Sequence, residues 1–255
     1  MRFDLHVHSQ YSHDGRMTCS DLIAAARRAG LSGLAVCDHN TLRGSVAAQA
    51  NCPSDFVIIP GVEYSTDLGH VLAYFITRGA EDTSLPRLDN GCFLFSALAP
   101  FIKEQGGLLV AAHPLRNRDS IPGSLLNGVD GLEVFNARQM ARWPQTTAPT
   151  LRQALTRDGL FTAGSDAHRF GEVGGAYVEL EARTPEDVRT ALLSGQYACH
   201  GRPARRRHEA LGRLGRHGLS GWPKDLARLA VFTAQDIRDT VTGVYAWRQF
   251  DMASK

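Results

Sequence analysis

Long apolar runs are missing from this chain. No stretch approaches the ~20 residues that a membrane-spanning helix requires, so no membrane partner is expected. The opening residues, MRFDLHVH, put an acid and two histidines where a secretory signal needs an unbroken apolar segment. The expected location is therefore cytoplasmic. Cysteine is scarce: five residues (Cys19, Cys37, Cys52, Cys92 and Cys199) are scattered, odd in number and never in a CxxC pair. That argues against a disulfide framework and against a thiolate zinc site, and the cysteines read as buried free thiols. Net charge is scarce as well. With 28 basic and 26 acidic residues the formal charge is +2, too little by itself to imply a nucleic-acid or membrane partner. There is no GxSxG elbow for a nucleophilic serine, no internal repeat and no low-complexity tract. What remains is a chain of 255 residues, 43% hydrophobic and 21% charged, the size of a single α/β barrel.

Short apolar runs alternate with helical patterns. Strands are predicted over 3–7, 33–37, 56–60, 70–76, 108–112, 131–135, 160–164 and 176–180. Helices are predicted over 21–29, stopped by Gly30, and over 93–104, 151–157 and 185–193. The last is opened by Thr184 as N-cap with Pro185 at the first helical position. Repeated strand–helix units predict a largely parallel sheet that closes into a barrel. Composition changes near Cys199, where six arginines (202, 205, 206, 207, 213 and 216) accompany one acid, Glu209. The expected division is a barrel over 1–198 and a basic, partly helical appendage over 199–255.

Six of the ten histidines (His6, His8, His39, His70, His113 and His168) lie at or just beyond a predicted strand. Sites of α/β folds gather at the carboxyl ends of strands, so these side chains are expected to converge. In DLHVHS, alternation turns His6 and His8 to the same side of one strand. VCDHN adds Asp38 and His39, PGVEYS adds Glu63, and GHVLAYF opens on His70. VAAHP ends in His113, FTAGSDAH ends in Asp166 and His168, and YSHDG adds Asp14 in a turn. Each has an ordinary explanation alone: Asp38 as a helix cap, Glu63 as a surface acid, His113 as a strand end. Together, imidazoles and carboxylates without thiolate suit zinc, manganese or iron, and their number exceeds what one ion needs.

The order HxH, DG, DH, GVE, GH, HP, SDAH resembles the PHP (polymerase and histidinol phosphatase) phosphoesterase family over roughly residues 2–195. The resemblance implies a distorted (β/α)7 barrel holding two or three divalent ions. By that resemblance His6, His8, Glu63 and Asp166 hold the first ion. Glu63 bridges to a second, completed by His70 and His113, while Asp14, His39 and His168 hold a third. All nine positions are filled, which argues against a degenerate copy. His13 is an alternative to Asp14, and Asp38 is expected to support His39 or a neighbour from behind. His200, His208 and His217, in the basic segment, are expected to be solvated.

The implied reaction is hydrolysis of a phosphate ester by a metal-bridging hydroxide. A phosphomonoesterase on a small molecule is the first expectation, and a phosphodiesterase or exonuclease is the alternative. A regulatory metal-binding module without turnover is the alternative from another class. Phosphate calls for arginine, whose planar fork matches its oxygens. Arg116 and Arg138 are the candidates, counted as catalytic with Glu63, Asp166 and His168; Arg169 is left open, and Asn136 is a candidate for orienting substrate. The short stretch 77–107 speaks against a nucleotide-specific lid. The segment from Arg202 to Arg216 is the candidate for nucleic-acid contact, although it lacks the interleaved aromatics of a single-strand platform.

Overall fold

The computed structural model describes residues 1–116, 121–142, 159–205, 222–241 and 248–251. The β-rich runs form β1 (Arg2–Val7), β2 (Gly33–Val36), β3 (Val57–Thr66), β4 (Gly69–Tyr74) and β5 (Leu108–Ala111). They continue as β6 (Gly131–Asn136), β7 (Leu160–Gly164), β8 (Ala176–Glu179), β9 (Ala198–Gly201) and β10 (Arg248–Asp251). All join one sheet in the order β10-β9-β8-β1-β2-β3-β4-β5-β6-β7.

Two blocks of the sheet are parallel, β1-β2-β3 and β5-β6-β7. Between them β4 runs antiparallel to both neighbours, and β8 lies antiparallel on the start of β1. The expected largely parallel sheet is thus mixed. The reason is local: β3 does not stop at Pro60 but continues to Thr66 and turns through Asp67 and Leu68 into β4. That hairpin sets Ser65 opposite His70 and keeps Glu63 inside the strand rather than in a loop beyond it.

The far end of the sheet curls back to β1 and nearly closes an α/β barrel. Beyond β7, Ala167 bridges Val7 in parallel register. His8 N donates to Ala167 O at 2.8 Å, and Asp166 N to His6 O at 2.8 Å. Buried Asp4 strengthens this seam from the other side, accepting from Ser165 N at 2.9 Å and Gly174 N at 2.9 Å. Close approach of the two strands needs Gly164, where an added Cβ would press into the His6 side chain and lie 2.9 Å from its backbone nitrogen.

The helices that brace the sheet carry their own end signals. α1 (Cys19–Arg28) starts with Thr18 and Asp21 in a reciprocal capping box. The chain turns after it at Gly30, φ 75°. The helix Pro185–Ser194 has the same box from Thr184 and Asp187 and ends on left-handed Gly195. Each box is worth about 1 kcal/mol. α2 (Arg43–Ala50) and α3 (Phe95–Lys103) lack a side-chain cap and depend on tertiary packing. The main core runs from Phe3 and Leu5 through Ile59, Tyr64, Leu72 and Phe93 to Leu132 and Phe135. A second core packs Leu22 and Ala26 of α1 on Leu34 and Val36.

The expected domain boundary at 198 falls inside the sheet, because β9 pairs antiparallel with β8, and β10 with β9. His200, expected to be solvated, is stacked on Tyr177 with ring centroids 5.0 Å apart and faces Glu179. The expected helix at 151–157, His208, His217 and the arginines 206, 207, 213 and 216 lie outside the described residues. No helix among the described residues is long and apolar enough to cross a membrane. Gly164→Ala should cost about 1–3 kcal/mol by forcing the seam apart. Urea denaturation measures this, and an unchanged midpoint would contradict the role given to this contact.

Candidate metal centre

The nine side chains converge at one end of the barrel, around a carboxylate that is only 1% exposed, that of Glu63. Its Oε2 lies 3.4 Å from His6 Nε2, 3.3 Å from His8 Nε2 and 3.2 Å from His39 Nδ1. Its Oε1 lies 2.7 Å from His70 Nδ1 and 2.8 Å from His113 Nε2. One carboxylate therefore faces two separate sets of imidazoles, one with each oxygen.

Asp166 joins the first set, with Oδ1 3.3 Å from His8 Nε2. Its backbone sits at φ 55° and that of His113 at φ 30°, both in the left-handed region that side chains other than glycine seldom adopt. A third group forms beside them: Asp14 Oδ2 lies 3.0 Å from His168 Nε2, and Asp14 Oδ1 lies 3.7 Å from His39 Nε2. Potential ligand atoms of His8, Asp14, His39 and His168 all lie within 4.8 Å of one another, as do those of His6, His8 and Glu63, and those of His39, Glu63 and His70. His8 and His39 thus sit where the groups meet.

The arrangement suits cations. His6 Nδ1 faces Glu133 Oε1 at 2.9 Å, and an ionised carboxylate only accepts, so the imidazole proton lies on Nδ1. That leaves Nε2 as the ring nitrogen facing His8 Nε2, 3.1 Å away. In the same way His168 Nδ1 donates to the carbonyl of Asp166 at 2.9 Å and leaves Nε2 facing Asp14. Asp14 Oδ1 is buried with no hydrogen-bond partner. Converging ring nitrogens and an orphaned carboxylate oxygen are what a divalent ion satisfies, once it displaces the ring protons.

Protonation reflects the same crowding. Burial disfavours charge on His8, but hydrogen bonds to Asp166 and Glu63 outweigh it and raise the group to about 9. Burial likewise opposes charge on His6, yet Glu133, Glu63 and Asp166 hold it well above its ordinary value. Burial would raise Glu63, but His39, His6 and His113 keep it well below the usual carboxylate range. His39 goes the other way, pushed by burial to about 4 despite the pull of Glu63.

Other expected residues have different surroundings. His13 is 77% exposed, while Asp14 turns inward to His168. Asp38 bonds Ser9 rather than an imidazole, accepting from Ser9 N at 2.7 Å and Ser9 Oγ at 2.6 Å. It thereby anchors the loop that follows His8. Arg138, expected at phosphate, spends its guanidinium on the protein: Nε donates to Asp166 O at 3.0 Å and Nη2 to Glu172 at 3.2 Å. Asn136 is buried between Glu133 Oε2, at 3.0 Å, and Asp166 Oδ2, at 3.4 Å. Arg116 is exposed on the rim of a cavity of about 370 Å³ that is also lined by His70, His113, Leu68, Pro114 and Leu125. Arg169 is half-buried. Glu133 and Glu172 were not singled out from sequence; the signal for Glu133 was a lone acid inside the apolar strand GLEVFN.

The PHP domain family matches residues 4–84, and the PHP-associated family matches residues 151–197. An uncharacterized protein of Methanocaldococcus jannaschii is 32% identical over 200 residues, covering 74% of this chain and 75% of the relative. The chain belongs to the PHP family. A second uncharacterized protein of that organism is 28% identical over 151 residues, covering 54% of this chain and 82% of the relative. Among solved structures, a two-domain protein of Bacteroides vulgatus, described as containing a predicted PHP-like metal-dependent phosphoesterase, aligns with a TM-score of 0.63 at 18% identity. The alignment covers 78% of this chain, which spans 64% of that longer one. An amidohydrolase of Chromobacterium violaceum, solved with bound sulfate, aligns with a TM-score of 0.55 at 17% identity over 76% of this chain and 96% of that one. At these identities the likeness concerns the PHP-type barrel alone.

In chelator, the chain should lose stability as pH rises from 6.5 toward 9. The folded form keeps a proton on His8, raised to about 9, that the unfolded chain releases near 6.5. That contribution is complete below 6.5 and gone above 9. Urea midpoints across this window test it, and a level or rising series contradicts it.

Proposed function

We propose that this chain is a metal-dependent phosphoesterase acting on a small-molecule phosphomonoester. The observation that carries the reading is the Glu63 carboxylate shared between two sets of imidazoles, with Arg116 on the rim of the adjoining cavity. In this reading His6, His8, Glu63 and Asp166 hold one divalent ion, and Glu63, His70 and His113 a second. Asp14, His39 and His168 hold a third. Bound divalent ions supply a low-pKa water, polarise the phosphoryl oxygens and stabilise the leaving oxygen. Zinc, manganese and iron all suit this donor set.

The chain's own residues do the rest. Glu63 keeps the two sets in register, because moving either oxygen moves both. Arg116, beside His113, offers the planar fork that a phosphate accepts. Arg138 and Glu172 hold the turn from Asp166 to His168 in place from beneath. A cavity of about 370 Å³ has room for a phosphate with a modest leaving group, and Leu68 and Leu125 give it an apolar wall. The small-molecule scale of this cavity is why the monoester is preferred over the diester. The description given to the Bacteroides vulgatus structure agrees with the reaction class.

Elemental analysis and turnover of an aryl phosphate and a bis-aryl phosphodiester test the reading. Two or more ions per chain and faster monoester turnover are expected, with turnover abolished in His8→Ala and Asp166→Ala. Ion-loaded protein that hydrolyses neither compound would contradict it. Arg116→Ala should lower kcat/KM on the monoester by about ten- to a hundredfold, the worth of a charge-assisted hydrogen bond, with ion content unchanged. Wild-type kcat/KM in that variant would remove Arg116 from the site.

A further inference from the structure

Glu133 belongs to none of the three groups of ligands, yet it touches two of them from behind. It lies on β6 and is 2% exposed. Its Oε1 accepts from His6 Nδ1 at 2.9 Å. Its Oε2 accepts from the backbone N–H of His113 at 2.7 Å and from Asn136 Nδ2 at 3.0 Å. His6 is also one of the imidazoles on Glu63 Oε2, and His113 one of those on Oε1. Two buried carboxylates therefore enclose the same pair of histidines, Glu63 in front and Glu133 behind.

Each contact has a distinct effect. The first fixes the His6 proton on Nδ1, which frees Nε2 as a ligand. The second holds the backbone of His113 at φ 30°, a conformation that persists only when its surroundings enforce it. The β6–β7 register slips between Glu133 and Phe135. An irregularity of that kind re-aims a side chain that a regular strand would direct elsewhere. A carboxylate kept only to satisfy one buried N–H would need neither the His6 contact nor the slip.

We propose that Glu133 is a positioning residue that couples the two ion sites, setting the tautomer of His6 in the first and the backbone of His113 in the second. The proposal rests on the metal-dependent reading above. Glu133→Gln is the informative variant. Its amide oxygen can still accept from His113 and Asn136, but its amide nitrogen then faces His6 Nδ1 and favours the tautomer that cannot ligate.

The test is a Mn²⁺ titration of the chelator-treated full chain by calorimetry, beside a urea denaturation in chelator. Both binding steps should weaken by about ten- to a hundredfold, while the urea midpoint changes little. Unaltered affinity, or weakening confined to one step, overturns the coupling and leaves the phosphoesterase reading intact. A wild-type chain that binds no Mn²⁺ overturns both. Should the variant fail to fold, nitrogen-15 histidine spectra of the ion-loaded wild-type chain decide. His6 protonated on Nδ1 supports the assignment, and protonation on Nε2 overturns it.

Discussion

A single buried negative charge organises this molecule. Moving a carboxylate out of water is prohibitive unless partners replace its solvation, and Glu63 receives five imidazole nitrogens between 2.7 and 3.4 Å away. Those imidazoles come from β1, from the ends of β2 and β5, and from the start of β4. A curled sheet is what brings such distant segments to one point. The mixed topology follows from the same need, since the β3–β4 hairpin is what sets His70 beside Glu63.

Around that charge lies a second layer of buried acids that never meet one another's ligands directly. Glu133 braces His6, Asp38 braces the loop after His8, and Glu172 accepts the His168 N–H at 2.8 Å. Backbone strain gathers in the same place. Asn40, His113 and Asp166 account for three of the four positive-φ residues other than glycine among the described residues. Rigid hydrogen bonding next to strained backbone is the signature of a preorganised site, where the surrounding fold holds a geometry the local chain would not choose.

Much of this was legible in the sequence, and the exceptions have physical causes. The i, i+2 pairing of His6 with His8 carried part of the convergence, because alternation along extended chain is a local property. Asp166 and His168 lie past β7, with Asp166 at φ 55°, and were signalled only by their place after a strand. The capping signal at Thr184 and the stop at Gly30 were readable because they too are local. The continuation of β3 past Pro60 was not, since proline and glycine ordinarily end strands and only pairing with β4 carries this one further. Nor was the role of Arg138, a cation near the motifs that pairs with Glu172, 34 residues away. The place of residues 198–201 in the sheet was hidden behind a change in composition that begins beside them and says nothing of strand pairing.

The seam between β1 and the end of β7 also bears on how the chain is made. Asp4 and Ser165, which meet across it, are separated by 161 positions. During synthesis His6 and His8 leave the ribosome early, but Asp166 and His168 follow only after most of the barrel has been translated. Closing so long a loop is slow because the entropy is lost before the contacts form. Until then seven of the nine site residues have been made, but the site lacks Asp166 and His168. The barrel is therefore finished by its last strands, and the order of translation delays the complete pocket until the scaffold that shapes it exists.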